Sequence, residues 1–297
     1  MAFRKPEREL STTEILSLSL SLYASKFDLF LVPFLLTAVL NSFVNYALWR
    51  FAPAIELPQN TTEIVTWLLD YLVAIIPVLV ASIVISWVIS TIANGMVIKM
   101  SSEMLEGRPA TFKIGFDSVL SSLPTLLISG VVVSALTILG LIFFVIPGII
   151  AIIIFSLTVE VIMIERHNVS ASLWRSRRLV ANRWSKTLAV LISVVLLTAI
   201  SSSVGRIVGS YVTAYDNTMG LVIESIISSL AQPIQPIVLT LFYYSLRAKE
   251  KLGGPAMPPH QYPPMSPMYQ PNFCIRCGER LPPDAVFCPK CGANVKS

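Results

Sequence analysis

Charge is what this chain has least of. Only 13% of its 297 residues are Asp, Glu, Lys or Arg, about half the share of a typical soluble domain. With 54% hydrophobic residues and a mean hydropathy of +0.72, that scarcity excludes an ordinary water-soluble fold. Histidine is nearly missing, with His167 and His260 its only occurrences. No phosphate-binding P-loop, nucleophile elbow, paired-histidine protease motif or dinucleotide fingerprint occurs, so a soluble-type active site is not expected and the chain reads as non-enzymatic. Cysteine is confined to the last 25 residues. The apolar part therefore has no disulfides, and the four thiols suit metal ligation in a reducing compartment.

What is abundant is long apolar sequence. Several runs exceed the roughly 20 residues that cross a bilayer. They predict an all-α polytopic bundle with spans at 27–49, 67–98, 124–145, 149–164, 187–208 and 220–246. As one helix the run 124–164 would be about 60 Å long, too long for one crossing. The Pro147-Gly148 pair inside it predicts a tight hairpin. Pro233 and Pro236 predict a break in the sixth helix. Ahead of the first span, Ser11, Thr12 and Glu14 form a capping-like start. Leu16, Leu20 and Tyr23 then recur at helical spacing, predicting an interfacial helix within 9–26. Arg4, Lys5 and Arg8 precede Ser and Thr without a cleavage site, so no cleavable signal peptide is expected.

The few basic residues are unevenly placed. Segment 1–26 holds four Lys/Arg, loop 99–123 holds three, loop 165–186 holds six, and Arg247, Lys249 and Lys251 follow the last span. The intervening loops 50–66 and 206–219 hold one each, and the Pro147-Gly148 turn none. Strict alternation predicts an even number of spans with both termini cytoplasmic, in the plasma membrane. Topology accounts for the basic residues, so no nucleic-acid partner is expected.

The expected organisation is an N-terminal segment 1–26, a six-helix membrane domain 27–246, a linker 247–272 and a small module 273–297. Seven prolines within 253–271 favour extended polyproline II. In the module, Phe273-Cys274-Ile275-Arg276-Cys277-Gly278 recurs fourteen residues later as Phe287-Cys288-Pro289-Lys290-Cys291-Gly292. Two C-x-x-C-G knuckles supply four thiolates, the tetrahedral set that Zn²⁺ prefers; iron in a rubredoxin-like site is the other metal this set accepts. Cys274, Cys277, Cys288 and Cys291 are thus the expected ligands of one structural zinc. A closed tetrathiolate has no open position for catalysis.

Isolated polar residues in the spans are further candidates. Glu160 and Glu224 fall inside spans, Asp70 near the end of one, and Asn94 within another. Intramembrane carboxylates mark either a polar path or a structural hydrogen bond. Ser201, Gly205 and Gly209 form a small-residue stripe that suits close helix packing, within the chain or between two copies. Asn60-Thr61-Thr62 is an N-glycosylation acceptor pattern. Arg175, Arg177 and Arg178, interleaved with Leu173, Trp174, Val180 and Trp184, suit an interfacial helix touching anionic lipid headgroups.

Residues 80–205 carry an ordered set of local features: Glu106-Gly107-Arg108-Pro109, a helix from Thr111 through Phe116 to Leu120, Ile146-Pro147-Gly148-Ile149, Ile164-Glu165, and the basic helix 172–180 ending at Arg183-Trp184. This order resembles the prokaryotic membrane-domain family named for glycerophosphoryl diester phosphodiesterases. The resemblance implies a six-helix, non-catalytic membrane domain and no substrate. The phosphodiesterases of that family carry a separate soluble catalytic barrel, which these residues do not resemble, so their activity is not carried over. Residues 281–287 between the knuckles resemble a zinc ribbon. Together these features lead us to expect a membrane scaffold or adaptor whose ribbon recruits a cytosolic partner. The alternative is a transporter or lipid-handling protein using polar groups inside the bundle.

Overall fold

The computed structural model describes residues 3–52, 64–213 and 217–252, and in the C-terminal module residues 277, 287, 288, 290–292 and 294. The chain divides into two compact units, Met1–Gly253 and Gly254–Ser297. The Asn60 acceptor pattern, the proline-rich residues 253–271 and Cys274 lie outside the described residues.

Among the described residues the regular structure of the first unit is all helix. Its helices are α1 (Thr12–Ser25), α2 (Phe27–Trp49), α3 (Ile64–Leu105), α4 (Phe112–Phe143), α5 (Val145–Phe155), α6 (Thr158–Glu165), α7 (Val169–Val180), α8 (Trp184–Thr213), α9 (Asn217–Ser229) and α10 (Ile234–Leu252). Six stretches are long and apolar enough to cross a membrane: α2, α3, α4, α5 with α6, α8, and α9 with α10. The chain is thus an all-α polytopic bundle. Large apolar side chains such as Val73, Ile83, Ile142 and Val195 face outward, as a lipid-facing surface requires. The inward core centres on α10, where Ile237, Val238, Phe242 and Tyr243 are fully buried.

α1 starts where the sequence predicts. Ser11 Oγ accepts from the Glu14 N–H at 3.2 Å, and Glu14 Oε2 accepts from the Ser11 N–H at 2.8 Å, a reciprocal capping box. Of the residues at helical spacing, Tyr23 is buried and Leu16 half-buried against the core, and Leu20 alone turns outward. Ile15, Ser19 and Leu22 also point inward. The contact with α10, rather than the spacing of leucines, selects the face.

Span boundaries also differ in instructive ways. The turn between spans three and four falls at Phe144, whose backbone is extended, instead of at Pro147-Gly148. Pro147 sits in the first turn of α5, where its missing N–H is not needed. Gly148 serves close packing: a Cβ there would lie 2.4 Å from the Leu141 side chain. Of the two prolines expected to break the sixth span, Pro233 lies in the observed interruption between Ser229 and Ile234, whereas Pro236 lies in the first turn of α10 and breaks nothing. The fourth span carries a further interruption that the sequence did not announce, between Phe155 and Thr158.

Each interruption frees backbone groups, and inside lipid such groups must find partners within the protein. Both find a hydroxyl on a helix that is not itself a span. At the α5–α6 break, Ser176 of α7 donates its Oγ–H to Ile154 O at 2.7 Å and accepts from the Leu157 N–H at 3.2 Å. At the α9–α10 break, Tyr23 of α1 donates its hydroxyl to Leu230 O at 2.8 Å. Burial pushes the Tyr23 phenol up to about 12, which keeps it a donor.

The stripe Ser201, Gly205 and Gly209 packs α8 onto α9 within the chain. Ser201 Oγ donates to Ile227 O at 3.2 Å, and a Cβ on Gly209 would stand 2.9 Å from Gly220 O. Its job is thus an internal seam, the first of the two alternatives left open by the sequence.

Removing either bridging hydroxyl leaves a buried backbone group unpaired, which costs about 1–3 kcal/mol. Ser176→Ala and Tyr23→Phe should each lower stability by that order in reversible denaturation in micelles, with helix content retained. Ser170→Ala, at an exposed position, should be neutral.

Candidate functional site

Two places gather chemistry: one end of the bundle, and the cysteine module. At the bundle end the N-terminal segment, the α6–α8 segment and the end of α10 are tied together by charge, and the α3–α4 loop, with ion pairs of its own, joins them through the Tyr244 hydroxyl donating to Glu106 at 2.7 Å. Glu9 is the first knot, with Lys249 at 2.7 Å, Lys186 at 2.8 Å and Arg183 at 3.3 Å. Glu103 pairs with Lys99 at 2.6 Å and with Arg108, which also pairs with Glu106. Hydrogen bonding to Glu103 above all raises the Arg108 guanidinium, so it is charged at any accessible pH. The third knot is Glu165, which accepts from Tyr243 OH at 2.5 Å and from Arg175 Nε at 3.2 Å, with His167 Nε2 at 3.0 Å. Arg175 completes a two-pronged pair with Glu250, both contacts at 2.7 Å. Main-chain straps reinforce the charges: the Lys5 N–H donates to Leu105 O and the Leu10 N–H to Ser245 Oγ, each at 2.8 Å.

This network corrects the expected use of the basic helix. Arg175 is not available to lipid headgroups, because its guanidinium is turned inward onto Glu165 and Glu250. Arg177 instead lies over the ring of Trp174 at 5.2 Å, and Trp174 is exposed. Arg178 is 55% exposed and only 3.6 Å from Glu250. Of the three arginines, Arg177 and Arg178 keep an outward face. The acidic partners Glu9 and Glu250 were not singled out from the sequence, and Glu165 only as the end of an apolar span; Glu9 and Glu250 lie far along the chain from their cations, so local spacing carries no sign of those pairings.

The intramembrane candidates do not converge. Glu160 is buried in the first turn of α6, and its Oε2 has no hydrogen-bond partner among the described residues. Glu224 is half-buried on the α8–α9 seam, with its Cβ against Gly209. Asn94 donates to Ser90 O one turn back at 2.8 Å, and Asp70 is exposed on α3. Two clefts open at the charged end, and none of these four residues lines either. One, of about 450 Å³, is lined by residues that include Lys5, Glu7, Glu106, Arg108, Tyr244 and Arg247. The other, of about 400 Å³, is lined by Ile164, Glu165, His167, Arg175, Arg178 and Arg247.

In the cysteine module the sulfurs of Cys277, Cys288 and Cys291 lie within 4.8 Å of one another, with Cys277 Sγ to Cys288 Sγ at 3.6 Å. Tetrahedral zinc with Zn–S bonds of about 2.3 Å needs sulfurs about 3.8 Å apart. The spacing therefore fits the metal. The second knuckle has its turn: the Gly292 N–H donates to Cys288 O at 2.9 Å, and Gly292 takes a φ of +68°, which only glycine adopts without strain. An antiparallel bridge between Phe287 and Asn294 closes around it, and Cys288 is buried.

Residues 273–295 match the family model of a zinc-ribbon domain. No curated protein and no solved structure gave a match. The module is a zinc ribbon, and the metal it takes is a structural zinc. When bound, zinc supplies folding energy to a module too small for a sufficient core of its own. The match does not extend into the membrane unit, and no comparison supports the expected resemblance to the phosphodiesterase membrane domains.

Protein purified without chelators should carry about one zinc per chain by elemental analysis. Cys288→Ser should lose it, while the helical circular dichroism of the membrane unit persists. Concurrent loss of the helical signal would show that the two units do not fold separately.

Proposed function

We propose that this is a non-enzymatic membrane adaptor: a six-span bundle that holds a zinc ribbon at a membrane surface, where the ribbon docks a cytosolic protein. The observation that carries the reading is the division of labour between two units. The ribbon lies in a compact unit of its own, three of its thiolates cluster, the sequence supplies Cys274 as the expected fourth, and a closed tetrathiolate serves structure rather than turnover. The bundle, for its part, uses its hydroxyls and ions to hold its own helices.

The positive-inside rule assigns the sides. Basic residues of the N-terminal segment, of 99–108, of 165–186 and of the end of α10 meet at one end of the bundle. That end is the cytoplasmic one, in the plasma membrane, with both termini on that side. In a background with the four ribbon cysteines changed to serine, a cysteine at Phe51 should react with a membrane-impermeant thiol reagent in intact cells. A cysteine at exposed Ser170 should react only after permeabilisation. The opposite pattern would invert the topology and place the ribbon outside.

One observation favours the second reading, a transporter or lipid-handling protein: the buried Glu160 carboxyl with an unpartnered oxygen. Deleting residues 253–297 separates the two. For an adaptor, the deletion abolishes the cellular role while membrane insertion persists, and Glu160→Gln and Glu224→Gln are nearly silent. For a transporter, the truncated protein retains flux in vesicles and at least one Gln variant loses it.

A further inference from the structure

We propose that the cleft between α6, α7 and α10 is a binding site for a phosphate group. It is bounded by Glu165, His167, Arg175, Arg178 and Arg247, with Ile164 on its apolar side. Its volume of about 400 Å³ lies within the roughly 300–1,000 Å³ usual for small-ligand sites.

The argument is one of charge left over. Both carboxylates near the cleft are committed. Glu250 takes the two-pronged contact from Arg175, at 2.7 Å on each oxygen. Glu165 takes Arg175 Nε, His167 and the Tyr243 hydroxyl. Three guanidiniums, of Arg175, Arg178 and Arg247, face two carboxylates, leaving an excess of one positive charge before His167 is counted. The excess sits on the two arginines that the carboxylates do not hold closely. Arg178 reaches Glu250 only at 3.6 Å. Arg247 is half-buried, and among the described residues no carboxylate lies within 4.0 Å of it. Its Nη1 donates only to Tyr243 OH, at 3.4 Å.

Glu250 acts on Arg247 only through space, and Glu7 and Glu106 border it from the other cleft without pairing to it; a half-buried guanidinium with no close counter-ion is costly, and an oxyanion entering the cleft supplies one. Guanidinium forks match phosphate oxygens in geometry as well as charge. Arg175, anchored on both sides, forms a rigid wall behind the two available arginines. Exposed Trp174, beneath Arg177 on the same helix, suits the membrane–water boundary. The phosphate can therefore arrive on a lipid headgroup or as a soluble ion. This site is independent of the adaptor reading, and it differs from a general basic surface because Arg177 lies outside it and Arg247 comes from another helix.

The test uses full-length protein in phosphatidylcholine nanodiscs at constant ionic strength, titrated by calorimetry with inorganic phosphate in one arm and short-chain phosphatidic acid in the other. Saturable binding is expected in at least one arm. Saturation by inorganic phosphate identifies a soluble ligand; saturation by phosphatidic acid alone identifies a headgroup. Arg247→Gln and Arg178→Gln should each weaken it roughly tenfold or more, the worth of one charge-assisted contact. Arg177→Gln should bind as the wild type does. If Arg247→Gln fails to assemble, the exposed Arg178→Gln and the charge-preserving Arg247→Lys carry the comparison. No saturation in either arm would overturn the proposal. So would equal losses in Arg177→Gln and Arg178→Gln, which would mean diffuse attraction, or wild-type affinity in both cleft variants.

Discussion

A backbone carbonyl or amide inside lipid has no water to turn to. Two of the six spans in this protein are interrupted, and the rest of the bundle is arranged around satisfying the groups those interruptions release. Ser176 bridges Ile154 and Leu157, and Tyr23 holds Leu230. Both hydroxyls sit on short helices that do not cross the membrane. α1 and α7 are thereby fixed against the spans by hydrogen bonds worth more in a low-dielectric setting than at a wet surface. With α1 and α7 in place, the N-terminal segment and the basic stretch 165–186 come to one end. There Glu9, Glu165 and Glu250 can bind cations from distant parts of the chain. The ion pairs are thus downstream of the hydroxyl bridges. They lie at the aqueous end, where each alone stabilises little and the network sets geometry.

Much of this was legible in the sequence because it depends on local rules. The Ser11–Glu14 capping box, the start of α2 at Phe27 and the six apolar stretches follow from residue type and run length. What resisted reading was tertiary. Pro147 and Pro236 look like breakers, yet each occupies a first helical turn, where proline is tolerated. The α5–α6 break has no proline or glycine at Ser156 or Leu157 to mark it; a serine from another helix makes it affordable. Arg175 looks like its neighbours Arg177 and Arg178 until the helix is docked, when its position alone points inward at Glu165 and Glu250. Arg247, a single basic residue after an apolar run, gave no hint that it would border two clefts. For the ribbon the case is reversed. Ligand spacing is a local code, and the repeat of C-x-x-C-G announced the metal before any geometry did.

The two units rely on different physics. The bundle is held by apolar packing on α10 and by internally satisfied polar groups, whereas the ribbon draws its stability from a metal. The adaptor reading depends on each being perturbable without the other. A bundle whose breaks are plugged by its own hydroxyls is suited to holding position. A transport path would instead leave the interrupted backbone exposed to water or substrate.

Hydrogen–deuterium exchange across residues 153–163, measured in lipid nanodiscs, tests the central claim most directly. If Ser176 closes the α5–α6 break, the Leu157 amide exchanges as slowly as those of Val161, Ile162 and Met163 in the adjoining buried turns. Exchange at Leu157 as fast as in the exposed loop at His167 and Asn168 would mean that water reaches the break, and would contradict the account.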